Sequence, residues 1–138
     1  MQFFTNFLKI FLDFRDVRKI VNTSKINKGM SVNKFLSAIR SKESSNNYQA
    51  QNSRSSASGA YQFIDKTWKN LGGSTIHAKD ATVDEQDRIA ENYAKHLLKK
   101  YGNDYHKAAR AWNQGEPTAE KDLNAGKTYA DDVIQRMN

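Results

Sequence analysis

Apolar residues recur at intervals of three and four along most of this chain, and no stretch of any length alternates apolar with polar. That period limits the fold more than any other feature. Side chains three and four apart share one face of a helix, whereas a half-buried strand requires a period of two. Phe3, Phe4, Phe7, Leu8, Phe11, Phe14, Val17, Ile20 and Val21 trace a first helix. Asn22–Met30 reads as a polar connector, and Ser31 as the N-cap of a helix carrying Phe35, Leu36 and Ile39 to Ser44. Helical spacing resumes at Tyr61, Ile64, Trp68 and Leu71 and is closed by Gly72-Gly73. Thr82 and Glu85 form a capping box for the stripe Ile89, Tyr93, Leu97 and Tyr101, which stops at Gly102. A short helix through Tyr105, Ala108, Ala109 and Trp112 stops at Gly115, and Pro117 opens another turn or two. Thr128 caps a last helix with Tyr129, Val133 and Met137. The expected fold is mainly α: an amphipathic helix and connector over residues 1–30, then one compact helical domain over 31–138.

Between two of these helices lies SSNNYQAQNSRSSASG, residues 44–59, rich in Ser, Asn and Gln. Loops of that length inside compact domains are usually functional. It is expected to be a long polar loop or to hold a short hairpin, and its stretch from Tyr48 to Ser58 is a candidate wall of a cleft.

Composition narrows the function. A chain of 138 residues supports one core rather than two. The absence of Cys removes disulfides, Cys-ligated zinc and a Cys nucleophile. His77, His96 and His106 have no metal-ligand spacing, and no cofactor is expected. Residues 1–42 carry nine basic residues against Asp13 and Asp16, which accounts for the whole net charge of +7, while residues 43–138 carry 13 of each sign. No nucleic-acid motif or aromatic interleaving accompanies the basic front, so no specific nucleic-acid partner is expected. Lys9, Asp13, Arg15 and Asp16 interrupt the first helix, which excludes a spanning segment of about 20 apolar residues. It also lacks the features of a cleavable signal peptide. Two readings stay open for residues 1–21: packing on the domain, or docking on a membrane surface or a partner.

Glu43 is the first candidate for chemistry. It lies seven after Leu36 and four after Ile39, at the end of an apolar helix face. Partial desolvation there favours the protonated carboxyl, the form a general acid requires near neutral pH. Among other carboxylates, Asp65 reads as first-turn dipole stabilisation or solvated surface, and Asp104 as a helix cap. Trp68, Tyr93 and Tyr101 read as core.

Around Glu43 the residues carry a resemblance. Glu43-Ser44, Gly59-Ala60-Tyr61-Gln62-Phe63 with Thr67-Trp68, Ala111-Trp112-Asn113-Gln114-Gly115, and Tyr129 with Val133 follow in that order. The series resembles the catalytic domain of lytic transglycosylases, of the α+β lysozyme-like superfamily. The stretch Gly59–Gly73 is also similar to resuscitation-promoting factors and some phage endolysins. There are departures: Ser45-Asn46 stands for a frequent Gly-Gly, Trp112 for Tyr, and Ala60-Tyr61 for Leu-Met. Asn tolerates the left-handed turn that Gly-Gly would make.

The resemblance implies cleavage of the β-1,4 bond between N-acetylmuramic acid and N-acetylglucosamine in peptidoglycan, with Glu43 as the single acid and then base. The sugar's 2-acetamido group stabilises the charge and its 6-hydroxyl closes to a 1,6-anhydro end. Hydrolytic glycosidases instead use a second carboxylate about 5–9.5 Å away. The resemblance places Ser44, Gln62, Asn113 and Tyr129 near acid or substrate, and Tyr61, Phe63 and Trp112 as rings that stack on sugar faces. Action at the cell wall or periplasm is implied, with peptidoglycan strands as partner. Delivery without a cleavable signal suits a phage virion, a lysis event or a secretion apparatus. Hydrolytic muramidase activity, and a non-catalytic wall- or membrane-docking role, are the alternatives.

Overall fold

The computed structural model describes the backbone from residue 14 to 138 and the side chains from Lys28 onward, Met30 apart. Among the described residues six α-helices make up the order: α1 (Phe14–Ser44), α2 (Asp65–Asn70), α3 (Val83–Lys100), α4 (Tyr105–Gln114), α5 (Glu116–Lys121) and α6 (Lys127–Met137), with a short 3₁₀ turn at Ala78–Asp80. Extended pairing among the described residues is confined to two isolated bridges, Gln51 with Ser58 and Ser58 with Phe63. The fold is therefore a mainly helical single domain, as the periodicity requires. The chain falls into two units, residues 1–31 and 32–138, and the second holds the core described here. No helix among the described residues is long and apolar enough to cross a membrane.

Local chemistry explains most boundaries. Thr82 caps α3 by accepting from the Glu85 N–H, as expected, but the Glu85 carboxylate accepts from Ser74. Asp104 caps α4 through the Lys107 N–H. Pro117 sits in the first turn of α5, where its missing N–H costs nothing.

Three expectations are corrected. Residues 22–30, read as a connector with Ser31 as N-cap, are helical within α1. Their Lys, Asn, Thr and Ser residues do not forbid a helix once flanking segments propagate it. The last helix begins at Lys127 with Gly126 as its N-cap, not Thr128. The helix expected from Tyr61 begins only at Asp65, because Gly59 and Gln62 take positive φ values of 80° and 53° that break it. The expected first helix over residues 3–21 falls partly, and its side chains wholly, outside the described residues.

Phe35 and Ile39 of α1, Tyr61, Trp68, Ile89 and Leu97 of α3, and Val133 of α6 are fully buried in one core. Small residues let α4 nest there: Ala108, Ala109 and Ala111 are buried, and α4 packs against α3, α5 and α6. Two polar side chains lock the connections. Gln86 is 1% exposed; its Oε1 accepts from the Ala60 N–H, and its Nε2 donates to the Tyr48 and Ala81 carbonyls. Arg110, also buried, donates to the carbonyls of Ala119, Asp122 and Ala125, closing the turn between α5 and α6. Neither role shows in the helical periodicity.

Candidate active site

Glu43 stands in the last turn of α1. The chain then reverses through two consecutive left-handed residues, Ser45 and Asn46, at φ 54° and 64°. The Asn46 N–H donates to the Arg40 carbonyl and the Ser45 N–H to the Ser41 carbonyl, each at 3.2 Å, so helix-end carbonyls are satisfied without glycine. Asn46 does what the sequence departure allowed, and Ser45 does so as well.

The Gly59–Phe63 turn is folded back onto this helix end. Ser44 Oγ donates to the Ala60 carbonyl at 2.8 Å and accepts from the Asn47 N–H at 3.1 Å. Gly59 is required twice over: its φ is +80°, and a Cβ there would meet Gln86 Oε1 at 2.6 Å. The turn places Gln62 beside Glu43, with Gln62 Nε2 donating to the Gly59 carbonyl at 2.9 Å.

A cleft of about 250 Å³ opens at this point, lined by Glu43, Gln62, Phe63, Ile64, Thr67, Tyr93, Trp112, Asn113, Gln114 and Gly115. Five of the eight residues expected at the site, Glu43, Gln62, Phe63, Trp112 and Asn113, therefore meet in one cleft, drawn from α1, the Gly59 turn and α4. Ser44, Tyr61 and Tyr129 do not line it. Ser44 staples the Gly59 turn to α1. Tyr61 is 1% exposed, which corrects the expectation that its ring stacks on a sugar: its faces are already covered by Tyr48, Phe63 and Trp112.

Phe63 and Trp112 are likewise held in an aromatic cluster. Trp112 packs against Phe35, Tyr61, Phe63 and Tyr93, with centroids 4.9 to 6.3 Å away. Phe63 is 5% exposed, so it offers a rim rather than a platform. Tyr93, read as core, is half-buried and lines the cleft. Thr67, Gln114 and Gly115 lie within or beside the motif residues, so proximity in sequence could have found them. Nothing in the sequence set Tyr93 apart from the other aromatic residues on the stripe of α3. The polar loop from Tyr48 to Ser58, expected to be a cleft wall, contributes no residue to it.

Electrostatically the Glu43 carboxyl is perturbed in the direction its helix position implies. Burial raises its pKa from 4.5 to about 7, against the smaller opposing influences of the Tyr129 hydroxyl and Lys42. Lys42 is itself occupied by Asp132 of α6 at 2.8 Å, and Arg136 ties the same carboxylate and Ser41. The Tyr129 hydroxyl is buried without a hydrogen bond of full geometry among the described residues. It still lies near enough to Glu43 to stabilise its charged form, while burial and that carboxyl raise the pKa of Tyr129 itself. A neutral hydroxyl thus sits behind the acid.

Glu43 is the only carboxylate among the residues lining the cleft. Asp65 is turned to His77 at 3.0 Å, and Glu116 to His96 and Lys100. No cluster of His, Asp or Glu among the described residues could hold a metal ion. The cleft therefore brings a carboxyl whose pKa burial raises to about 7 to an apolar wall flanked by the amides of Gln62, Asn113 and Gln114. Such amides supply donors and acceptors of the kind that sugar hydroxyl and acetamido groups use.

No curated protein and no solved structure gives a significant match to the chain. A protein-family model does match, described as a transglycosylase-like domain and covering residues 31–104, from the end of α1 through α3. The matched stretch contains Glu43, the Gly59 turn, Trp68 and Gln86, and ends before Trp112, Asn113 and Tyr129. Such a domain implies an enzyme that cleaves glycan strands, with peptidoglycan as substrate and the cell wall as the place of action. Over more than half its length, and with its one cleft-lining carboxyl inside that stretch, the chain belongs to the transglycosylase-like domain family.

Proposed function

We propose that the protein is a peptidoglycan lytic transglycosylase in which Glu43 acts first as acid and then as base. The observation that carries the reading is a lone cleft carboxyl whose pKa burial lifts to about 7. At that value both protonation states are populated at neutral pH, so one group can give a proton to the glycosidic oxygen and take one back. Departure of the protonated oxygen leaves positive charge at the anomeric carbon of N-acetylmuramic acid. With no second carboxylate lining the cleft, the sugar's own 2-acetamido group meets that charge. Glu43, now ionised, removes the proton of the 6-hydroxyl as that oxygen bonds the anomeric carbon. The product ends in a 1,6-anhydro ring and no water is consumed.

Gln62 and Asn113 would hold the acetamido and hydroxyl groups, and Trp112 and Phe63 would form the apolar floor that desolvates the acid. Ser44 and Tyr129 serve from behind, the first by fixing the Gly59 turn and the second by facing the carboxyl. The basic front third would hold the domain against anionic wall polymers or membrane, whichever carrier delivers it.

Mass analysis of the fragments released from purified sacculi tests the chemistry. Anhydro-muropeptides from the wild type and none from Glu43→Gln are expected. Products heavier by one water would identify a hydrolytic muramidase. Undiminished release by Glu43→Gln would leave only a non-catalytic role. Removing residues 1–30 is expected to weaken retention on sacculi while soluble glycan fragments are still cut; a co-sedimentation assay reads the first effect.

A further inference from the structure

Two cations flank the acid on α1: Lys42 next to it and Arg40 one turn before it. Residues three apart on a helix have their Cβ atoms about 5–6 Å from each other, so an unrestrained arginine at position 40 can reach a carboxylate at position 43. It does not do so here. Arg40 Nη1 donates to the Tyr61 hydroxyl at 2.8 Å, and its guanidinium lies 5.6 Å from the centroid of the Tyr61 ring. The Tyr61 hydroxyl in turn donates to Asp87 Oδ1 of α3 at 2.5 Å, and Tyr48 donates to the same oxygen at 2.7 Å. The cation that acts on the Glu43 carboxyl is Lys42, not Arg40.

Tyr61 stands where Leu-Met-like sequences have no hydroxyl. With its ring buried, only the hydroxyl can be its polar contribution, and that atom accepts from Arg40 and donates to Asp87. We propose that Tyr61 and Asp87 form a tether that holds the Arg40 guanidinium off the Glu43 carboxyl, which makes them positioning residues for the acid. The inference rests on Glu43 being the acid. Lys42 is restrained directly by Asp132 of α6, whereas Arg40 is held through the Tyr61 hydroxyl, which is itself bonded to Asp87 of α3.

The consequence has a definite sign. An opposite charge within about 4–6 Å favours the ionised carboxyl and lowers its pKa by about 1–3 units. A freed Arg40 would therefore leave Glu43 ionised at neutral pH and remove the proton the leaving oxygen needs. The other charged or titratable groups facing this region are Lys42 on α1, Tyr48 and Tyr61 on the following segment, Asp87 on α3, and Tyr129 and Asp132 on α6. Lys42 is the one cation among them and is held by Asp132, as is Arg136 of α6, so a shift that depends on Arg40 is read apart from both.

Carboxyl-carbon NMR titration of the full chain with labelled glutamate tests the tether, Glu43 being assigned by its loss in Glu43→Gln. In Tyr61→Phe/Asp87→Asn the Glu43 titration is expected to move down by about one pH unit or more, a tenfold change in proton affinity. Adding Arg40→Gln to that background is expected to restore it, whereas Arg40→Gln alone leaves it within a few tenths of a unit. An unshifted titration in the untethered protein overturns the proposal. So does a fall that Arg40→Gln does not reverse, since general repacking would give that result. A rise on Arg40→Gln alone overturns it as well, because Arg40 would then already act on the acid. If the double variant does not fold, Tyr61→Phe, which removes one oxygen atom, is read in its place by the same criteria. Titration of Glu43 does not depend on turnover, so inert sacculi would refute the proposed function and leave the tether standing.

Discussion

If burial raises the Glu43 pKa to about 7, the acid weakens the fold, and replacing it should strengthen the protein in a pH-dependent way. Below pH 4.5 the carboxyl is protonated in both folded and unfolded chains and contributes no pH dependence. Between 4.5 and about 7 the unfolded chain releases the proton while the folded one retains it, so stability falls as pH rises. Above about 7 the full cost is present. A gap of about 2.5 pH units at 1.36 kcal/mol each amounts to about 3 kcal/mol. That is a large share of the roughly 5–15 kcal/mol by which small domains are stable. Glu43→Gln keeps the side-chain volume and abolishes the titration. Urea unfolding followed by circular dichroism at pH 4 and at pH 8 gives the stability difference between variant and wild type at each pH. Comparing the two pH values cancels whatever the amide itself gains or loses. The expected gain at pH 8 over pH 4 is about 3 kcal/mol, a midpoint shift of about 10 °C in a thermal scan. Equal differences at the two pH values would mean that Glu43 titrates as an ordinary solvated carboxyl, and the acid assignment would lose its physical basis.

Two other substitutions test the scaffold beneath the site. Gln86→Leu preserves volume but strands the Ala60 N–H and the Ala81 carbonyl; a loss of about 2–4 kcal/mol in urea unfolding is expected, and a loss under about 1 would show that those groups find other partners. Gly73→Ala would drive a Cβ to 2.2 Å from the Trp68 indole. A cost of about 1–3 kcal/mol with a shifted tryptophan emission is expected, and wild-type stability would contradict the packing.

Much of this molecule was legible as pattern. The period of three and four gave the helices because burying one face of a helix demands it, and the capping residues Thr82 and Asp104 act as their side-chain chemistry suggests. Glu43 was legible for the same reason, since its distance from Leu36 and Ile39 puts it at the end of a buried stripe. The readings that failed did so for two reasons. Tyr61 has the spacing of a helical residue and the chemistry of a sugar platform, but whether a ring faces solvent depends on what the rest of the chain lays over it. Tyr48, Phe63 and Trp112 cover it, and they come from three separate segments. The connector at residues 22–30 failed because a polar sequence with no proline and a single glycine, Gly29, takes the conformation of its flanks.

The sequence by itself determined that the chain is helical, that helices end near Ser44, Gly102 and Gly115, and that its net positive charge lies before residue 43. Those are properties of neighbours along the chain, fixed by periodicity, caps and glycines. Tertiary structure alone decided that Tyr93 belongs to the cleft, that Gln86 and Arg110 hold the turns, and that Arg40 is bound to Tyr61, itself bonded to Asp87, instead of to the acid. Most of these contacts join groups nine or more residues apart, up to 38 between Gln86 and Tyr48. At such separations a partner is chosen by burial and by the need to satisfy buried polar atoms, neither of which local pattern encodes.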